Sequence, residues 1–321
     1  MATAAVSRGT VAGPGTMRGV ERFAWLVVGY NVLVILWGAL VRATGSGAGC
    51  GNHWPLCNGQ VIPLSPTVHT IVEFTHRCMT GGSLFMVLGL LVWTFRASVK
   101  GEAARVLAVV STLLLLNEAL LGALLVKLGY VTGNQSVGRM VLLSIHLSNT
   151  LLLLAALTLT AVLLKTRQRW AGLMRAKGLG WGVAGLVATL VVGVSGSMAA
   201  LGDTLFPAAS LQAAIAQDLS TASPWLLRLR GVHPVSAVLA AIFVAWLLVK
   251  ARRMRAGGLV TVVLGLLVAQ FVLGIADVLL LAPLWMQILH LLGADLYWVA
   301  LVSLAAAVVR PRDGQFGTQV A

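Results

Sequence analysis

The sequence contains few charged residues and very few acids. Asp and Glu together number 9 in 321 residues, and charged residues of both signs make up only 10% of the chain. No polar stretch is long enough to form a soluble domain. Hydrophobic residues instead make up 59%, and the mean hydropathy is +0.93. These values exclude an ordinary soluble globular protein and indicate a protein that crosses a membrane several times.

Eight apolar stretches are long enough to cross a bilayer, which requires about 20 residues in a helix. They lie at about 23–42, 70–95, 105–126, 138–164, 179–200, 233–249, 258–279 and 284–309. The first is too long for the core of a signal peptide, and we interpret it as an anchored helix. The predicted fold class is an all-α integral membrane protein with eight transmembrane helices.

Positive charge is concentrated on one side of these stretches. Of the 23 Lys and Arg residues, 17 lie in the two termini and in the connections after the second, fourth and sixth stretches. Because cytoplasmic segments are enriched in Lys and Arg, both tails, 1–22 and 310–321, are predicted to be cytoplasmic. The net charge of +14 then reflects membrane orientation and predicts no nucleic-acid partner. We expect a multi-pass protein of a bacterial cell membrane, in contact with lipid.

Two long outer connections, about 43–69 and 201–232, share a pattern that begins at Gly45-Ser46 in one and at Gly196-Ser197 in or near the other. The stretches "NEALLG" and "AQFVLG" of the third and seventh helices also correspond. These likenesses predict two four-helix repeats related by a pseudo-two-fold axis along the membrane normal. The predicted divisions are an N-terminal repeat at 23–165, a cytoplasmic linker at 166–178 and a C-terminal repeat at 179–309.

Four of the six histidines fall one apiece in the even-numbered stretches, all in the outer half of the membrane. They are His76, His146, His233 and His290. A single membrane histidine is explained by a hydrogen bond between helices, but four at similar depth favour two bis-histidine sites inside four-helix bundles. Imidazole is a standard axial ligand of haem iron, whereas zinc needs four ligands at one point. The sequence lacks C-x-x-C-H, so a haem here would be held without a covalent bond.

Three arginines lie close to these histidines along the sequence. They are Arg77, Arg139 and Arg230. Each can pair with a haem propionate through charge-assisted hydrogen bonds. For Arg139 and Arg230 the alternative is a guanidinium that extends to the membrane interface.

The first half carries acids near its histidines whose counterparts in the second half are not acids, and Asp277 and Asp295 of the second half, also within or near the edge of the membrane, have no assigned role. Glu73 precedes His76 by three residues and is expected to share a helix face with it and with His69. A carboxylate at this position either orients the His76 imidazole or moves protons. Glu118 is a second buried acid, at a position where the second half has Gln270, and it either acts near the histidines or only bonds a neighbouring helix.

Cysteine is scarce, and two of the three cysteines lie close together. Cys50 and Cys57 are in the first outer connection, on the oxidising side of the membrane, and can close a small ring. They form either a structural disulfide or a pair that exchanges electrons with an external thiol system. Cys78 has no partner in the chain.

These motifs together resemble the haem A synthase family. The shared features are "TGSGAGC" and "WPLCNG" within 44–59, "EFTHR" at 73–77, and one histidine in each even-numbered helix. The resemblance runs from Phe23 to about Arg310. It implies a membrane-bound, haem-dependent oxidoreductase that converts the C8 methyl group of haem O to a formyl group, giving haem A for terminal oxidases.

The resemblance also implies roles for individual residues. The substrate haem O would lie between His76 and His146, with Glu73 at the catalytic site. His233 and His290 would ligate the iron of a haem B cofactor. Cys50 and Cys57 would match the family's outer-loop pair, and haem O synthase would be the partner that supplies the substrate. The second outer connection contains no cysteine, so a thiol relay between two cysteine pairs is not expected.

Two other classes of protein fit part of the pattern. A bis-haem carrier, moving electrons between a membrane quinol and an outer acceptor, explains the histidines but not the acids of the first half. A transporter explains the internal repeat. Pigment distinguishes these classes, because a transporter would show no Soret band and a carrier would return only the haem it was given.

Overall fold

The computed structural model describes residues 14–252 and 256–309, and these residues form helices without any β-strand. The elements are α1 (Pro14–Ala43), α2 (Val68–Ala97), α3 (Ala103–Lys127), α4 (Val137–Thr166), α5 (Trp170–Met174), α6 (Leu179–Leu205), α7 (Leu211–Leu219), α8 (Trp225–Arg228), α9 (Val232–Arg252), α10 (Gly257–Leu279) and α11 (Leu284–Val308). Residues 1–13 of the first predicted tail, the whole second predicted tail at 310–321, and residues 253–255 of the basic connection between α9 and α10 lie outside the described residues.

Within residues 14–252 and 256–309, eight helical spans are long and apolar enough to cross a membrane, as the hydropathy pattern predicts. The sixth of these spans consists of α8 and α9 together, Trp225–Arg252. All eight predicted spans are therefore confirmed, and the protein is an all-helical, multi-pass membrane protein. The second outer connection is not a simple loop, because it contains α7 and α8.

The first helix begins at Pro14 rather than near Phe23, so residues 14–22 are not an extended tail. Proline is favoured in the first turn of a helix because its missing N–H has no partner there in any case. Val20 and Ala24 lie one turn apart and are both fully buried. The buried stripe of α1 thus extends past the polar residues that mark the apparent end of the apolar stretch.

The long helices of each half contact one another in the same order. In α1–α4, and again in α6, α9, α10 and α11, each helix packs against its sequence neighbours, and the first packs against the fourth. The halves meet where α4 contacts α6 and α11 and where α1 contacts α11. Trp298 of α11 lies in this junction, almost fully buried, and its Nε1 donates to the carbonyl of Leu151 in α4, 2.8 Å away.

The Gly-Ser pattern on which the repeat was aligned has two different structures. Gly45 follows α1 in a left-handed turn with φ of 66°, whereas Gly196 lies inside α6. The first copy continues with closely spaced glycines and a proline that suit turns. The second continues with Met198-Ala-Ala-Leu201, whose residues all favour helix. The alignment of Gly45 with Gly196 is therefore wrong.

Candidate functional site

Each of the four membrane histidines lies against a glycine of the preceding long helix. The pairs are Gly38 with His76 (3.1 Å), Gly122 with His146 (4.0 Å), Gly196 with His233 (2.9 Å) and Gly274 with His290 (3.2 Å), where the distance joins a Cβ built on the glycine to the ring Cε1. A side chain at three of these glycines would press on the imidazole, so glycine permits the close approach. Gly196 therefore contacts His233 in the second half in the same way as Gly38 contacts His76 in the first half.

The two histidines of the second half face each other across the bundle. The ring centroids of His233 and His290 are 6.3 Å apart, and the ring planes are 80° from parallel. Two imidazoles on opposite sides of one metal ion, with bonds of about 2 Å, place their nitrogens roughly 4 Å apart and their centroids somewhat further. The separation of the two rings therefore fits one metal ion between them.

The number of histidines at each site distinguishes a bare metal ion from a haem as the group that they fit. No cluster of three or more His, Cys, Asp or Glu side chains within the described ranges is arranged to hold a metal ion. A bare zinc ion would need about four protein ligands. Haem iron takes only its axial ligands from the protein, so pairs of histidines fit a haem. All four histidines are only partly buried although each lies in a membrane span, so the bundles are not packed closed around them.

In the first half, the partners of the two imidazoles differ. The Nδ1 atom of His76 is buried and has no hydrogen-bond partner. The Nδ1 atom of His146 lies 3.3 Å from Oε1 of Glu118, in range of an ion pair although not aligned as a hydrogen bond.

Glu73 is almost fully buried, and both of its carboxylate oxygens have partners. Oε1 accepts hydrogen bonds from Nη2 and Nε of Arg77, at 2.5 and 3.1 Å, and Oε2 accepts one from the backbone N–H of Cys50 at 2.7 Å. Of the two roles left open for Glu73, orienting the His76 imidazole has no hydrogen bond behind it, because the carboxylate turns toward the first outer connection. Glu73 is thus a fixed, ion-paired carboxylate on the helix that carries His76.

The first outer connection is closed by a disulfide between Cys50 and Cys57. It lies directly on the first turns of α2. A Cβ at Gly49 would be only 2.3 Å from the carbonyl oxygen of His69, and the hydroxyl of Thr70 donates to the Gly49 carbonyl at 2.9 Å. Glycine is required at position 49 because a side chain there would collide with the backbone of α2. The sequence pattern did not predict this contact.

Both sides of the disulfide ring contact the ion pair of α2. The N–H of Cys50 donates to Glu73, and Nη1 of Arg77 donates to the carbonyl of Leu56 at 2.8 Å. Arg77 is therefore committed to Glu73 and to the outer connection. Its predicted contact with a propionate would use the donors that remain.

Arg139 and Arg230, the other two predicted propionate partners, are both buried but differ in their contacts. Arg230 donates to Asp203 at 2.9 Å and Asp218 at 2.8 Å, so its charge is already paired. Arg139 donates through Nη1 to the carbonyl of Asn134 at 2.8 Å, and its buried Nε has no partner. Arg139 therefore keeps donors free for an anion, whereas Arg230 mainly ties the connection between α8 and α9 to α6 and α7.

Arg42 is a further, partly buried arginine that the sequence pattern did not single out. It lies at the end of α1 and donates to the Ala200 carbonyl at 2.7 Å, to Thr204 at 2.8 Å and to Gln287 at 3.1 Å. It thus joins the outer ends of the two halves. An arginine in the last turn of a first span looks like an ordinary boundary residue, because its partners are distant in sequence.

Residues 21–302 match the family COX15-CtaA, described as cytochrome oxidase assembly protein. The chain belongs to this family. The matched range includes all four membrane histidines, both glutamates beside the first pair and the disulfide.

Relatives of this chain carry two different names. A Thermus thermophilus protein named "Protoheme IX farnesyltransferase" is 45% identical over 302 residues, which are 89% of this chain and 48% of that protein. A "Heme A synthase" of Shouchella clausii is 42% identical over 106 residues, 33% of this chain and 35% of that protein. A "Heme A synthase" of Halalkalibacterium halodurans is 36% identical over 146 residues, 46% of each chain. The chain spans about half the length, or less, of these relatives, and the predicted similarity to the haem A synthase family is confirmed.

Proposed function

We propose that this protein is a haem A synthase, which oxidises the C8 methyl group of haem O to a formyl group. The observation that carries the proposal is the contrast between two similar histidine pairs. Both pairs lie against glycines of preceding helices, but Glu73 and Glu118 accompany only the first. A site that merely holds a cofactor needs its ligands, whereas a site that oxidises a substrate also needs groups that handle protons.

The first half is the proposed substrate site. His76 and His146 flank haem O, and Glu73 is the acid–base residue. Arg77 and the Cys50 N–H hold the Glu73 carboxylate in one orientation on the helix that carries His76. Arg139, with its unpartnered Nε, is the proposed partner of a propionate in this half.

The second half is the proposed cofactor site. His233 and His290 ligate a haem B, and their 6.3 Å centroid separation supports this assignment. A bound haem B would supply one-electron redox chemistry. The chain's own contribution is to hold the two imidazoles at opposite sides of the cavity, while Arg230, Asp203 and Asp218 fix the outer end of the bundle.

The proposed membrane arrangement follows from the helices that supply the histidines. The halves are related by a pseudo-two-fold axis along the membrane normal, and the matching glycine–histidine contacts support this. With both termini in the cytoplasm, the histidines and the disulfide lie toward the outer side of a bacterial cell membrane. The distribution of Lys and Arg supports that orientation.

The proposed partner is the enzyme that makes haem O. In the Thermus protein, a segment similar to this chain is 48% of a longer protein named for farnesyl transfer to protohaem. That name describes a protein about twice as long as the matched segment. Presence of both segments in one chain supports a functional link between farnesyl transfer and the reaction proposed here.

Co-expression with and without a haem O synthase tests the proposal. Purified protein from cells with the synthase should contain haem B and haem A, identified after extraction by chromatography and mass spectrometry. Protein from cells without it should contain haem B alone. A protein that returns haem O unchanged would instead be a bis-haem electron carrier, and one without a Soret band would contradict both assignments.

A further inference from the structure

Glu118 is the acid beside the first histidine pair to which the proposed function gives no specific task. Its side chain lies between α3 and α4 and is mostly buried. One oxygen accepts a hydrogen bond from Asn149 at 2.5 Å, and the other accepts one from the hydroxyl of Thr150. The oxygen bound to Thr150 is also the one that lies 3.3 Å from Nδ1 of His146.

The position of Glu118 suits it to hold the His146 ring. A carboxylate that accepts the Nδ1–H of an imidazole fixes the tautomer and leaves Nε2 free as a metal ligand. The 3.3 Å contact is not aligned as a hydrogen bond, and hydrogen bonds at such sites commonly tighten when the ligand is bound.

The need for a hydrogen bond between α3 and α4 does not by itself explain why a carboxylate lies at position 118. Asn149 already joins α4 to α3, because it donates to the Leu114 carbonyl at 2.9 Å and accepts from Asn117 at 2.8 Å. An ionisable group within a membrane span is costly and marks function more often than packing.

The second half contains a natural comparison. Gln270 precedes Gly274 by four residues, as Glu118 precedes Gly122, and these two glycines lie against His290 and His146. The Nε2 atom of Gln270 has no hydrogen-bond partner, and neither has Nδ1 of His290. In that half the partnered imidazole is His233, whose Nδ1 is 3.3 Å from the neutral hydroxyl of Ser195.

We propose that Glu118 is a positioning residue that holds His146 through Nδ1 and makes its imidazole a stronger electron donor than either imidazole of the second half. The inference rests on the proposed function, which makes His146 an iron ligand. A more basic axial ligand stabilises the oxidised iron and lowers its reduction potential. Glu118 therefore sets the two haem sites at different potentials and secures the binding of the substrate haem.

The test compares Glu118→Gln with Thr150→Val in protein purified after co-expression with a haem O source. Glu118→Gln removes the charge while retaining an oxygen that can accept from Thr150. Thr150→Val breaks the same network between the helices and removes the hydrogen bond from Thr150 to the His146 carbonyl at 2.9 Å, but it keeps the Glu118 carboxylate beside Nδ1 of His146. Ser195→Ala is the matched variant for the second half. The readouts are the reduction potential of each haem by spectroelectrochemical titration, the low-spin electron paramagnetic resonance signals and the haem content.

Glu118→Gln is expected to raise the potential of one haem only, to shift only its resonance signal and to weaken its retention by about 10- to 100-fold, as for other outer-shell partners of ligands. Thr150→Val should leave both potentials unchanged, and Ser195→Ala should shift only the other haem. If Glu118→Gln does not accumulate, Glu118→Asp, which withdraws the carboxylate, should give a smaller shift in the same direction.

Two results would overturn the inference. One is a protein with two haems in which neither glutamate variant shifts a potential. The other is an equal shift in Glu118→Gln and Thr150→Val, which would assign Glu118 to packing alone. In either case the proposed function would stand. A wild-type protein without haem would overturn the proposed function together with this inference.

Discussion

In the first half of the molecule, glutamates lie beside or one turn from the histidines, whereas in the second half the side chain that reaches a histidine ring is a neutral hydroxyl. Glu118 reaches His146, and Glu73 lies one turn from His76. In the second half, His233 faces the hydroxyl of Ser195. The difference teaches that similar ligand positions do not make equivalent sites, because the neighbouring groups determine what a bound group can do.

The halves also differ in how their helices are packed. In the most apolar 18-residue stretch of α4, 67% is buried inside the protein. The corresponding share is only 11% in α6, in the α8–α9 span and in α10. The first half therefore carries most of the protein's own core. The second half gains a larger share of its stability from whatever binds between its helices, since a ligand that binds only the folded state stabilises it.

The largest expected effect separates the halves by removing one ligand from each. His76→Ala should retain haem B with a low-spin spectrum and make no haem A. His233→Ala should lose the haem B signal and also lose stability, because its empty cavity leaves His290 unpaired in an apolar bundle. Haem extraction from both purified variants measures the difference.

Either of two outcomes would break the comparison. Loss of haem B in His76→Ala with retention in His233→Ala would reverse the roles of the halves. Equal loss in both variants would mean that the two sites do not function separately.

The second effect concerns the acid of the first half. Glu73→Gln should keep both haems but lower conversion of haem O by about 10²- to 10⁴-fold, the usual contribution of a general acid or base. The matched control is Glu102→Gln, which removes another buried glutamate that is ion-paired to an arginine, Arg167, at 2.8 Å. The control should lower the unfolding temperature and leave conversion per bound haem unchanged. Full activity in Glu73→Gln would leave that residue with a packing role only.

A third, smaller effect concerns the disulfide, which only the first half has. Cys50→Ser should lower the free energy of unfolding by about 2 kcal/mol and reduce conversion, because the Cys50 N–H holds Glu73. Haem B retention should not change. Cys78→Ser is the control, since that exposed cysteine is free. The loss should be greater after oxidising than after reducing growth, and free thiols at both Cys50 and Cys57 in fresh protein, detected by mass spectrometry, would contradict the bridge.

The smallest expected effect tests the glycine–histidine contacts. Gly196→Ala places a Cβ 2.9 Å from the His233 ring, whereas Gly122→Ala places one 4.0 Å from the His146 ring. Replacing glycine by alanine raises the helix propensity equally at both positions. A difference in stability between the two variants therefore measures the contact with the histidine ring. Gly196→Ala should destabilise the haem-bound protein by about 1 kcal/mol relative to Gly122→Ala, measured by thermal unfolding and haem B content. Equal behaviour of the two variants would mean that the contact does not constrain the ligand.

Sequence reasoning found the features that depend on one residue or on one helix. Hydropathy located eight spans because each is an independent apolar segment, and the histidines stood out because polar groups are rare in such segments. It missed contacts made between distant segments. The partners of Glu73 and Arg77 come from a connection folded back on α2, and those of Arg42 come from the other half of the chain.

The repeat shows the same limit. The similar residues around Gly45 and Gly196 suggested that the two positions are equivalent, but their backbone conformations differ. The equivalent positions of Gly38 and Gly196 appear only when each is seen against its histidine. A glycine in a membrane helix has many explanations, so its sequence position alone could not predict this contact.

The central claim is that one half converts a haem while the other half holds one. Its most direct test supplies isotopically labelled haem O to purified protein in lipid vesicles with a source of electrons and oxygen, followed by mass analysis of the extracted haems. The account predicts that the label appears in haem A while the resident haem B stays unlabelled and constant in amount. Recovery of all the label as haem O, beside an intact haem B, would contradict it.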